Sequence, residues 1–434
     1  MSRSMGLFLC AALGLGSAHA AVVSIIVDST SGAHNVPDAC VLRDAISFAN
    51  TGVPIGGCVA QGTTSAPTTA PNSYTIVLPQ AATITLTEVD DATTNAGLPP
   101  ITAVLSIFGN GSVIQRNPEL GCNQNGATDA GEFRLLYSTG ILTLNDLTLR
   151  GGCADSASYL LAYGGALDSF GVLTLNRVVL SDNYASNRGG GLYAVTYGSQ
   201  DTINDSTFRD NKAPSGAGLF LEGAASNLRV ERSLFLRNSS VYGSGASIAE
   251  NATAVFVNST FANNSADSAA SAIAADGLVT LVSSTLAENE GNAFQISTPG
   301  GAGQKATIKN SLFSANTGWN GNCFFGPNAN VTLAGVNLSS DTNCTGFALT
   351  GTDAKLTPLA DNGGPTLTYA LQADSPAIDA VLDCTDADAT ALDKDQRWHQ
   401  RPQNLSNMAQ ARCDIGAYER DDAIFGDGFD PIVQ

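Results

Sequence analysis

Basic residues are scarce in this chain. Twenty Lys and Arg stand against 39 Asp and Glu in 434 residues, a formal charge of −19. A nucleic-acid binder needs cations at phosphates. A polybasic membrane-surface binder needs them near anionic headgroups. The balance argues against both. Charged residues of either sign reach only 14%, beside 43% apolar residues, which argues against bulk disorder. Histidine occurs three times, Trp twice, and CxxC never. Zinc, which takes Cys and His at short spacings, is left without an evident ligand set. No apolar run approaches the roughly 20 residues of a transmembrane helix. The composition leans instead to Gly, Asn, Ser, Thr, Ala, Val and Leu, which suits short strands and tight turns.

Residues 1–20 read as a secretory signal peptide. They have Arg3, an apolar run from Gly6 to Gly16, and an A-x-A end at Ala18-His19-Ala20. Without Cys10, eight cysteines remain in four close pairs along the chain. The expected disulfides of an exported chain are Cys40–Cys58, Cys122–Cys153, Cys323–Cys344 and Cys384–Cys413. Each loop of about 18 to 31 residues is worth roughly 3–4 kcal/mol in the chain-entropy model.

A repeat organises the middle of the chain. An apolar residue, two variable residues and an Asn recur at LSDN, FRDN, FLRN, FANN, LAEN and FSAN. They end at Asn183, Asn211, Asn238, Asn264, Asn289 and Asn316, in steps of 28, 27, 26, 25 and 27 residues. Gly152 extends the series backward, and Asp341 extends it forward in degenerate form. Between them lie glycine landmarks such as YGGALD (163–168), GGGLY (189–193) and GAGLF (216–220). Short alternating runs precede each Asn, for example VERSLFL and TIKNSLF, a strand signal. A unit this short has no room for a crossover helix. It fits a coil of two or three strands stacked on its neighbours as parallel strands about 4.8 Å apart. Phe208, Phe235, Phe261 and Phe313 are then expected to stack inside. The asparagines are expected to form an amide ladder at a left-handed turn. The glycines mark a corner of close approach or positive φ. A propeller would need a Trp-Asp signature and a leucine-rich array an LxxLxL pattern; neither is present.

These landmarks resemble the repeats of polymorphic outer-membrane proteins. CVLRDAISFANTG (40–52) resembles the CSLREA motif of exported bacterial β-helix proteins, with Val41 for Ser and Asp44 for Glu. DNGGPTLTYALQADSPAIDA (361–380), DQRWHQRP (395–402) and CDIGAYE (413–419) are similar to the choice-of-anchor Q region, with Trp398-His399 interrupting it. The resemblance implies an all-β, right-handed parallel β-helix, outside the cell or on its outer surface. The expected divisions are a signal peptide (1–20), an N-terminal cap and first coils (21–135), repeat coils (136–345), an irregular C-terminal cap (346–420) and a tail (421–434). Leu42, Ala45, Ile46 and Ala49 fall on one face of a short helix tethered by Cys40, a lid for the first coil.

Candidate chemistry is thin. The residues before the ladder asparagines are Asp182, Asp210, Arg237, Asn263 and Glu288. Asp182 and Asp210 would stand about 5 Å apart in successive coils, a separation that glycosidase carboxylates use. Turn aspartates that bond their own backbone present the same pattern, and the repeats hold no His. Asp383, Asp386, Asp388, Asp393 and Asp395 offer calcium oxygen ligands without a known loop spacing. Calcium is thus a weak expectation, and no other cofactor is expected. His34 and His399 stand alone, and Arg397 and Arg401 are expected to pair with nearby acids. Sequons such as Asn258-Ser259-Thr260 arise from the ladder composition. The sequence favours a non-catalytic, adhesin-like scaffold contacting polysaccharide or another surface component. A polysaccharide lyase or glycoside hydrolase is the second expectation, and a structural envelope protein the third. A polymorphic-protein β-barrel anchor is not expected, since the residues after the last coil lack successive amphipathic strands.

Overall fold

The computed structural model describes residues 22–61, 73–266, 271–296, 305–327, 329–403 and 410–421. The expected signal peptide and all of the tail but Asp421 lie outside them. The chain winds into a parallel β-helix with three columns of strands. The first column runs from Val22–Ile26 and Ser73–Val77 through Asn227–Glu231 to Asn330–Ala334. The second runs from Thr83–Leu86 through Leu234–Leu236 to Leu338–Ser339. The third has eight strands, from Leu136–Ser138 to Cys323–Phe325.

Strict register follows from the alternation. A one-residue slip would turn every core side chain outward. Ile203, Val230, Phe256, Leu281 and Ile308 pair in succession and are all fully buried. In the second column Phe208 stacks on Phe235 at 4.8 Å, and Phe235 on Phe261 at 4.4 Å. Leu286 then separates Phe261 from Phe313.

Three polar ladders occupy the turns. Asn183 to Asn316 lie in one buried column. Each Nδ2 donates to the next Asn Oδ1, as from Asn211 to Asn238 and from Asn264 to Asn289, both at 2.9 Å. The left-handed residue is not the Asn but the one before it. Asp182, Asp210, Arg237, Asn263, Glu288 and Ala315 all have φ near +50° to +58°. The column also ends differently from expectation. Asn322, six residues on, receives Asn316 at 2.8 Å, and Asp341 accepts the Asn322 N–H at 2.7 Å. A serine ladder fills the turn between the first two columns. Ser206 N–H donates to Ser233 Oγ, Ser233 to Ser259, Ser259 to Ser284, and Ser284 to Ser311. A shorter amide ladder joins Asn204, Asn176 and Asn145. At the third corner Gly164, Gly189, Gly216 and Gly243 have positive φ. A Cβ on the adjacent Gly165 would lie 2.3 Å from Tyr184 O.

Leu42–Thr51 is the N-terminal lid. Leu42, Ala45, Ile46 and Ala49 are buried in the main core beside Ile25 and Ile76. All four expected disulfides are formed. The C-terminal region is larger than a lid. Cys344 and Phe347 close the last coil, where Phe347 meets Phe313 at 5.4 Å. The rest turns back along the outward face of the second column as a strap. Leu356, Leu359, Leu367 and Tyr369 pack on Leu234, Leu236, Ala262 and Ala287. Arg401 donates to Asn258 Oδ1 at 2.8 Å, Gln396 accepts from Thr260 at 2.6 Å, and Trp398 Nε1 donates to Asp205 at 3.0 Å.

Candidate functional site

The second column presents one outward face along the whole rod, and the strap covers only its later coils. Upstream, Thr148, Val179 and Thr207 are half-buried between two ridges of left-handed turns. A depression of about 660 Å³ is lined by Gln80, Asn110, Asp146, Thr148, Arg177 and Val179. A second, of about 250 Å³, shares Val179 and ends against the strap at Asp361 and Gly364–Leu367. A third, also about 250 Å³, lies toward the other ridge, beside Arg116, Arg150, Asp182 and Tyr184. The first two, which share Val179, form a shallow groove whose one end the strap walls off.

Each left-handed position stacks one coil above the next, so one ridge alternates in charge as Asp146, Arg177, Asp205 and Arg232, while the other runs Asp182, Asp210 and Arg237. On one ridge Arg177 pairs with Asp146 through Nη2 at 2.7 Å, and Arg232 pairs with Asp205 at 2.9 Å. On the other, Arg237 chelates Asp210 with two bonds of 2.8 Å, while Arg209 adds a third at 3.0 Å. The Arg177 hydrogen bond holds the Asp146 carboxyl below its usual range. Burial alone would raise Asp210, but the bonds from Arg237 and Arg209 outweigh it and hold it low. Asp210 is therefore fixed as an anion, unsuited to passing a proton. Asp210 and Arg237 are paired on the ridge; Asp182, one coil earlier on the same ridge, borders the third depression. Tyr184 beside it is pushed up to about 12 by burial.

The other expected residues are taken up structurally. Asp386 accepts from Asp388 N–H and Thr390 N–H and pairs with Arg229 at 3.2 Å. Asp395 accepts from Arg397 and from Glu419 N–H, and Asp383 pairs with Lys309 at 2.9 Å. Asp383, Asp386 and Asp395 thus bond to protein donors. Among the described residues, the grouping with metal-ligand proximity is Cys122, Glu132 and Cys153. Its two sulfurs are joined as a disulfide, and the residues do not fit a bound ion. His34 lies between Asp44, at 3.0 Å, and Asp90, which also holds Arg43. His399 meets Asp421 at 2.7 Å. Arg397 pairs with Asp395, and Arg401 with Glu419. Asn258 is buried beneath the strap and donates to Lys394 O.

One cluster escaped the sequence reading although the YGGALD landmark contains two of its members. Tyr163 stacks on Tyr193 at 4.5 Å, and Tyr193 donates to Glu222 at 2.6 Å. Arg188 pairs with Glu222 and lies 4.7 Å above Phe220. Asp168, paired with Arg134 nearby, is pushed up to about 7 by burial against the pull of that arginine. Tyr163, Tyr193 and Phe220 are buried, Arg188 and Glu222 are half-buried, and Tyr159 meets Tyr163 edge-on at 4.9 Å.

No curated protein matches the chain in sequence. The crystal structure of pectate lyase Pel9A aligns with 93% of this chain and 98% of its own, at 14% identity and a TM-score of 0.47. Residues 161–277, the coils that carry the first four ladder asparagines, match the family described as right handed beta helix region. With its three parallel columns and its turn ladders, the chain is a right-handed parallel β-helix protein.

Proposed function

We propose that the protein is an exported, non-catalytic scaffold that binds polysaccharide along the open groove of the second column. The observation that carries this reading is the groove's lining: amides, hydroxyls and charges already paired, over a floor of Thr148 and Val179. Fixed amides and hydroxyls suit saccharide hydroxyl groups, which both donate and accept. Repetition every coil gives many weak contacts in register. Four disulfides support an oxidising compartment. An adhesin-like role at a cell surface follows if the bound polymer belongs to another cell.

The test is affinity electrophoresis of the mature chain through gels containing single polysaccharides. Retardation by at least one polymer, lost in Thr148→Arg with an unchanged melting temperature, is the expected result. Free migration through every gel overturns the reading. A second reading, lyase or hydrolase, is favoured by Asp182 beside Arg150 and Tyr184 in one depression. It requires new reducing ends in the incubated polymer that Asp182→Asn abolishes.

A further inference from the structure

Trp319 is 94% exposed, in a chain with two tryptophans. A single exposed apolar side chain is ordinary, so its surroundings decide whether it matters. Trp319 borders a depression of about 580 Å³ at the last coil, away from the lateral groove. Its other walls are Asn320, Phe324, Phe325, Asn343 and the threonines 342 and 345.

The loop that carries the indole is tied at every step. Gly321 N–H closes a turn on Gly318 O at 2.8 Å, and Asn320 N–H donates to Asn292 Oδ1 at 3.2 Å. Asn343 Nδ2 donates to Asn320 O at 2.8 Å. The Cys323–Cys344 disulfide joins the two walls. Gly321 has φ +65°, and a Cβ there would meet Asp341 Oδ2 at 2.1 Å. The indole therefore stands on an ordered backbone, and little ordering remains to be lost on binding.

The lining is aromatic and neutral. It holds no charged side chain, only two amides and two hydroxyls beside three aromatic rings and a disulfide sulfur. An acidic polymer would meet no cation there, on a chain of charge −19. A wholly apolar partner would leave the amides and hydroxyls without partners. A neutral sugar satisfies both halves. Its C–H face lies on an aromatic ring, and its hydroxyls exchange hydrogen bonds with Asn and Thr. We propose that this end of the rod is a binding site for a neutral saccharide, separate from the lateral groove and independent of whether the groove binds.

The second tryptophan, Trp398, stacks under Arg232 in the strap. Trp398→Phe thus makes Trp319 the sole reporter. Cellohexaose and maltohexaose, titrated against that variant, should give a saturable blue shift with at least one of them. Acrylamide quenching should fall in parallel. Hexagalacturonic acid should give neither change. Calorimetry on the otherwise native chain should show at least tenfold weaker hexaose binding in Trp319→Ala and in Gly321→Ala. Thr148→Arg should leave this binding unchanged, which separates failure here from failure of the groove. No saturable shift and no heat with either neutral hexaose overturns the proposal. Equal binding of the acidic hexamer overturns the neutral class. Binding that survives Trp319→Ala overturns the site.

Discussion

Asn264 Oδ1 accepts both donors of Asn238, the backbone N–H at 3.1 Å and the side-chain Nδ2 at 2.9 Å. One oxygen thus satisfies two buried groups of the coil before it. The Asn264 Nδ2 in turn reaches Phe235 O at 2.9 Å. The same geometry repeats through the column, so each side chain serves two neighbours.

Asn264→Ala therefore removes three bonds from a dry turn: those from the Asn238 N–H and Nδ2, and that to the Phe235 carbonyl. The expected loss is about 3 kcal/mol, taking roughly 1 kcal/mol for each lost bond. Urea unfolding at constant m-value measures it. A loss under about 0.5 kcal/mol would mean that the column tolerates a missing rung.

Arg401 and Glu419 are both fully buried and pair at 2.9 Å in the strap. Arg401→Met strands the carboxylate and should cost about 3–5 kcal/mol. It also removes the bond to Asn258 Oδ1 that ties the strap to the coils. Limited proteolysis should cut the strap first. The double variant Arg401→Met with Glu419→Leu should regain much of the loss, because no charge is then left unpaired.

Asp201 is pushed up to about 7 by burial, against a hydrogen bond from Leu173 N–H at 2.8 Å. The unfolded carboxyl loses its proton near pH 4 and the folded one near pH 7, so the folded state binds more protons between them. Stability from this group is full below about pH 4 and falls as pH rises to about 7. Asp201→Asn should flatten that part of the melting profile. Asp146 and Asp210, whose carboxyls are held low, act oppositely, and only below about pH 4.

The Asp146–Arg177 pair stands 39% and 53% exposed. Solvent screens it, so Arg177→Ala should change stability by less than about 0.5 kcal/mol. The same substitution removes a groove wall and should reduce gel retardation by polysaccharide. Unaltered retardation would place the polymer elsewhere.

The winding was legible because it demands the same residue type at the same phase of every coil. Ladder asparagines, stacked phenylalanines and corner glycines each leave a repeating letter. The serine ladder left one too: Ser206, Ser233, Ser259, Ser284 and Ser311 each stand two residues before the core Phe or Leu. The left-handed positions were not legible, because Arg237, Glu288 and Ala315 lack the side chains that favour positive φ. Their conformation is imposed by the buried Asn that follows. Nor was the groove. Its closed end depends on the strap, whose ties join Trp398 to Asp205 and Arg401 to Asn258 across more than 140 residues with no periodicity. Asp182, Asp210 and Arg237 share the left-handed position of successive coils, but whether they pair or react depends on side-chain geometry that spacing does not encode.

The strap has a consequence for how the molecule comes apart. A simple stack of coils frays from its free end, one turn at a time. Here the final segment leaves the last coil and is fastened several coils upstream, at Asp205 and Arg232. The terminal turns cannot peel away while that fastening holds. Release of the buckle and loss of the coils beneath it should come as one concerted event, at a sharper midpoint than an open array of equal length would show.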